Sequence, residues 1–174
     1  MRIPPRCALA AALALPLGAC MANSPDEYSW PARDMPYPEG WVESGAFPCG
    51  EFDLLWETAK VQACKAGHRI DDDATSYKRR RIVTVWKVEM AVRKSEGKRR
   101  RRFVDFVEQE TPKGTWRVRV STVRQRNVDI DDPLNPVSAE WRSDDPDTDD
   151  AERVAWMIES KFREFGPSPG FDGR

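Results

Sequence analysis

The middle of the chain alternates. Ile82, Thr84, Trp86, Val88, Met90 and Val92 fall on one side of a two-residue period, which predicts a half-buried strand. A second strand is expected over residues 99–109, carrying Phe103, Val104, Phe106 and Val107. A third follows with Trp116, Val118, Val120 and Thr122 in alternation. Ser95-Glu96-Gly97 and Thr111-Pro112-Lys113-Gly114 supply the turns between them.

Helical spacing brackets this meander. Phe52, Leu55, Trp56, Ala59, Ala63 and Ala66 make one apolar stripe over residues 51–66, and Gly67 is placed to end the helix. A short strand over His68–Ile70 and a polar turn through Asp71-Asp72-Asp73 lead into the meander. After a long acidic loop, residues 129–150, Asp147 or Thr148 can cap a helix striped by Ala151, Val154, Ala155, Ile158, Phe162 and Phe165. Gly166-Pro167 stops it. One-sided helices and a sheet with one apolar face pack most economically together. The predicted fold is therefore α+β: an antiparallel three- to four-stranded sheet with two helices on one face, a helix-grip-like α-β-β-β-β-α order.

Turns of about four residues would set Trp86 opposite Asp105, and Asp105 opposite Val120. That register places Asp105 among apolar neighbours unless an arginine meets it or the register slips by one, which would exchange the faces. It also gathers Val83, Val85, Val104 and Phe106 on the face away from the helices, an apolar patch of the kind that marks a protein interface. Trp56, Trp86, Trp116 and Trp156 all fall on core stripes.

The N-terminus reads as an address. Arg2 and Arg6 precede an apolar run, Ala8–Leu17, too short to span a bilayer but of signal-peptide length. The run ends in Leu17-Gly18-Ala19-Cys20, which resembles the lipobox of bacterial lipoproteins. The resemblance implies cleavage before Cys20, a lipid on its thiol, and an anchored, non-spanning chain. Met21 after the cysteine, where an aspartate would retain the protein at the inner membrane, favours the outer membrane. Residues 1–19 are then a signal peptide. Residues 20–48 are a lipidated N-terminus and proline-rich tether with a reach of about 30 Å. Residues 49–166 form a single domain, and 167–174 a disordered tail. Tyr28, Trp30, Tyr37, Trp41 and Phe47 in the tether either dock on the domain or await a partner.

Composition changes this picture little. Across 174 residues, 28 basic and 29 acidic side chains leave a net charge of −1, which argues against nucleic-acid binding. The basic residues are nevertheless grouped. Arg93, Lys98, Arg99, Arg100, Arg101, Arg102, Arg124 and Arg126 are expected at one sheet end, as a patch for an anionic ligand. The alternative is neutralisation by Asp129, Asp131, Asp132, Asp144 and Asp145. Asp145, Asp147 and Asp149 have calcium-loop spacing, but Asp150 and Trp156 stand where glycine and glutamate are needed. No metal or other cofactor is expected. A bridge between Cys49 and Cys64 is disfavoured, since a helix from Glu51 would hold them about 20 Å apart. His68, the one histidine, reads as a surface strand residue without nucleophile or metal partners.

Leu55-Trp56-Glu57-Thr58-Ala59 followed by Ala66-Gly67-His68-Arg69-Ile70-Asp71 is similar to the helix-to-strand junction of the BamC/NlpB helix-grip lipoproteins. Those proteins carry two such domains behind a lipobox and a long proline-bearing tether. The resemblance, which is one of architecture over residues 50–166, implies a non-enzymatic accessory role. The expectation is thus a lipoprotein of the bacterial envelope, at the periplasmic face of the outer membrane. It would be held by its lipid and act as a scaffold for an unidentified envelope protein partner. The alternative is a module binding anionic lipid, lipopolysaccharide or glycan.

Overall fold

The computed structural model describes residues 38–165, except 51, 92–95, 111, 130 and 136. Its elements run β1 (Val42–Glu43), β2 (Phe47–Pro48), α1 (Phe52–Ala63), β3 (Arg81–Val83), β4 (Lys87–Ala91), β5 (Glu96–Glu108), β6 (Thr115–Asn127), β7 (Trp141–Asp144) and α2 (Thr148–Phe165), with a 3-10 turn at Lys65–Gly67. The fold is α+β with one open antiparallel sheet of seven strands and two helices. Four ranks organise the sheet. The long strands β5 and β6 pair along their whole length in the middle; β3 and β4 share the outer edge of β5, while β2, β1 and β7 share the outer edge of β6.

The core lies between the sheet and both helices. Leu55, Trp56, Ala59 and Ala63 of α1 meet Ala151, Val154, Ala155, Ile158 and Phe162 of α2 over Ile82, Val104, Phe106, Trp116, Val118 and Val120. Leu55, Trp56, Ala59 and Ala63 of the first stripe and Ala151, Val154, Ala155, Ile158 and Phe162 of the second are therefore in the core as expected, with Ala66 lying beyond the shorter helix and the Phe165 side chain outside the description. Asp147 caps α2, its Oδ1 accepting from the Asp150 N–H at 3.1 Å. No helix among the described residues is long and apolar enough to cross a membrane.

The strand count exceeds the expected three or four for three reasons. First, the supposed tether contributes β1 and β2: Val42 pairs with Val120, and Phe47 pairs with Trp116 and stacks 5.3 Å from Phe162. Phe47 is 2% exposed, so the domain begins before Cys49. Second, the acidic loop hides β7. Third, the first meander strand is broken. Ile82 opposes Val104 in β3, but Lys87 opposes Arg100 in β4, so one extra residue sits between the two pairings. Such a bulge reverses the alternation, and Trp86 and Val88 leave the core face. The expected strand at His68–Ile70 shrinks to one bridge, Ile70 to Thr84.

The register also corrects the expected faces. Val120 opposes Val104, not Asp105, and that single slip turns Val104 and Phe106 inward. They are 0% and 6% exposed within the core, and Val83, on the other face, is 0% exposed. The interface expected from Val83, Val85, Val104 and Phe106 therefore does not exist as a surface patch. Asp105 faces outward and accepts from Arg81 Nε at 2.6 Å. Glu96 and Gly97 are strand, not turn. A Cβ on Gly97 would lie 2.8 Å from the Pro133 carbonyl oxygen, so this glycine serves a close backbone approach. Trp156 leaves its stripe, 67% exposed. Cys49 and Cys64 form no disulfide.

Phe106→Ala should cost about 3–5 kcal/mol in urea denaturation, whereas Trp156→Ala should change stability by less than about 0.5 kcal/mol. A chain starting at Cys49, lacking β1 and β2, should melt below one starting at Pro38.

Candidate functional site

Alternation along β5 divides the arginine run. Arg99 and Arg101 face away from the helices. Lys98, Arg100 and Arg102 face the helix side, where they meet three different fates.

Arg102 is 1% exposed beneath both helices. Its Nε and Nη2 donate to the two Asp150 carboxylate oxygens at 2.7 Å each, and its Nη1 donates to the Ala63 and Lys65 carbonyls at 2.9 and 2.8 Å. Thr122 Oγ1 and Arg153 also donate to Asp150. Burial would raise the Asp150 pKa, but these donors hold its carboxyl well below the usual carboxylate range. His68 lies beside this pair, 5% exposed, with Nδ1 3.4 Å from Thr84 Oγ1. Burial first, and the Arg102 charge second, lower its pKa to about 4. The expected surface histidine is thus an interior neutral one.

Arg100 donates to Glu89 at 2.7 Å and to Asp147 at 3.0 Å, and its neighbour across the pair, Arg124, lies 3.0 Å from Asp144. Glu89 is half-buried, which opposes its ionisation, yet Arg100 and Lys87 keep its pKa below the ordinary value. This row is neutralised.

One row further from α2, the arrangement differs. Lys98 opposes Arg126, and Arg126 opposes Arg142. Three cations stand abreast on β5, β6 and β7, spanning about 10 Å. Like charges directly opposite one another destabilise a sheet. Lys98 and Arg142 have local partners at the surface, Glu96 at 2.9 Å and Glu140 at 2.8 Å, and such exposed pairs hold weakly. Arg126, in the middle, is exposed and has no carboxylate partner among the described residues. The acidic loop does not reach it: Asp129 Oδ1 accepts from the Asp131 and Asp132 N–H groups, and Asp132 Oδ2 accepts from Asn135 Nδ2, within their own turn.

The opposite face of the sheet is layered with guanidinium and indole. Arg99 lies 4.4 Å from the Trp86 ring and 4.6 Å from the Trp141 ring, with Nε donating to Gln125 at 2.7 Å. Arg101 is 5% exposed and pairs with Asp71, while its Nε donates to the Thr84 carbonyl at 2.8 Å. Arg119 lies 4.9 Å from the Trp41 ring. Arg117 and Arg119 share Glu43, at 3.4 and 3.3 Å.

No protein family, curated protein or solved structure matches this chain.

Of the expected anionic-ligand patch, then, the structure brings Lys98, Arg100, Arg124 and Arg126 to one face. It sends Arg99 and Arg101 to the other face and buries Arg102. Arg93, like Cys20, the expected lipid attachment site, lies outside the described residues. Arg142 is the member that sequence reasoning missed, because the strand carrying it reads as acidic loop. The only available signal was Trp141, an aromatic flanked by polar residues. Among the described residues, no group of three His, Cys, Asp or Glu comes together to hold a metal ion.

Asp150→Ala should destabilise the domain by about 3–5 kcal/mol, since it strands Arg102 in the interior. The folded state binds fewer protons than the unfolded chain between pH 6.5 and about 4, where His68 stays neutral. Stability should therefore be flat above neutrality and fall by about 2 kcal/mol from pH 7 to 5. Asp150, whose folded pKa is depressed, should add a further loss only as pH drops below the ordinary carboxylate range. His68→Gln should remove the first loss and leave the second, as read from urea midpoints against pH.

Proposed function

We propose that this chain is a non-enzymatic lipoprotein of the bacterial envelope, anchored through Cys20, whose domain binds an anionic ligand at Lys98, Arg126 and Arg142. The observation that carries the reading is this row of three cations in direct register, with Arg126 unpaired in its middle. Mutual repulsion across a sheet is a cost that a phosphate or carboxylate lying over the row would turn into attraction. The guanidinium groups of Arg126 and Arg142 can each hold two oxygens of such a group in one plane. Lipopolysaccharide and acidic glycans are the envelope components of this chemistry, and the lipobox-like segment Leu17-Gly18-Ala19-Cys20 supports that location. A protein-scaffold role needs a different surface from the buried Val83, Val104 and Phe106; Trp156 on α2, 67% exposed, is an aromatic from which one would be sought.

Titration of the chain with lipopolysaccharide should show binding that weakens steeply as salt rises. Arg126→Gln should weaken it at least about tenfold, the effect of removing one charge-assisted contact, without lowering the melting temperature. Salt-independent binding, or full binding by the variant, would remove the row as the site. Cys20→Ser should abolish fatty-acid labelling; persistent labelling refutes the anchor assignment.

A further inference from the structure

We infer that the sheet face turned away from the helices is a membrane-docking surface, seated on the headgroup layer of the leaflet that holds the Cys20 lipid. The inference rests on the anchoring proposed above and concerns the opposite side of the sheet from the cation row.

Three observations converge. The first is where the chain arrives. Its first described residues lie on this face: the Glu39 carbonyl accepts from Ser121 Oγ, and Trp41 lies under Arg119. Residues 21–37 separate Cys20 from Pro38, so the lipid can lie no more than about 60 Å away even at full extension. The second is residue type. Trp41, Trp86 and Trp141 are half-buried here, each against an arginine. Indole rings with an apolar body and one N–H donor favour the boundary between water and acyl chains. The third is charge. Arg117, 44% exposed, pairs with Glu43, which it shares with Arg119 beside the Trp41 ring, a shared pairing weak enough for lipid phosphates to compete with. Tethering then makes docking intramolecular, so a face of modest affinity suffices. Docked this way, the domain turns its helices away from the bilayer.

The test uses the lipidated full-length chain in phosphatidylethanolamine–phosphatidylglycerol vesicles containing brominated lipid, which quenches tryptophans at the headgroup boundary. The wild type should be quenched. Replacing Trp41, Trp86 and Trp141 together by Phe should remove most of that quenching, and Trp156→Phe should remove little. If Trp156→Phe removes it instead, the helix side faces the membrane and the inference falls. Arg117→Gln, an exposed change that spares folding, should weaken association of the unlipidated Cys20→Ser chain with the same vesicles about fivefold, whereas Arg163→Gln, on the exposed side of α2 and outside both surfaces, should leave it unchanged. If Arg126→Gln abolishes that association and Arg117→Gln does not, the cation row is the membrane contact and the inference is overturned. Binding by the Cys20→Ser chain through Arg117 supports the face even if fatty-acid labelling disproves the anchor, so the two failures are distinguishable.

Discussion

The guanidinium of Arg102 is the joint on which the domain turns. One planar fork on β5 reaches the last carbonyl of α1, that of Lys65 in the following 3-10 turn, and both carboxylate oxygens of Asp150 in the first turn of α2. It neutralises the negative end of one helix while holding an acid at the positive end of the other. It also accounts for two local oddities. Ala66 adopts a left-handed φ of 60°, which costs a non-glycine residue energy and persists where its surroundings hold it; the Lys65 carbonyl just before it is bound by Arg102. His68 is carried inside by the same turn and stays neutral beside that cation.

Because strand residues alternate strictly, fixing Arg102 inward fixes the destination of the whole basic run. Arg100 and Lys98 must lie on the helix side, beyond the start of α2. Arg99 and Arg101 must lie on the far side, among Trp86, Trp141 and Asp71. A stretch that reads as one positive block becomes a structural ion pair, a neutralised row, an open row of cations and an aromatic-lined face. Only the open row keeps the character that the sequence suggested, and it does so with Arg142 from a distant segment.

Two surfaces on opposite sides of one sheet suit the tethered binding domain proposed above. Trp41 lies on one face, while the cation row opens on the other. Geometry of this kind would let a lipid-held module keep one side against the bilayer and offer the other to an anionic component of the envelope. The buried ionisable groups, in contrast, serve the interior and are closed to a ligand.

The sequence by itself determined the helical stripes, the start of α2 at Asp147 or Thr148, the two long central strands and the α+β class, because these follow from patterns confined to a few neighbouring residues. It also flagged Asp105 as a residue needing an arginine or a shifted register, and the structure supplies both. What it could not determine was parity. A bulge between β3 and β4 and a one-residue difference in the second hairpin each exchange faces at small local cost, and both are decided by contacts far along the chain. Arg102 finds Asp150, Gly97 admits the Pro133 backbone, and Phe47 fills space beside Phe162. For the same reason β1, β2 and β7 were invisible. They are short, irregular in pattern, and exist as strands only because the long edge of β6 offers them partners.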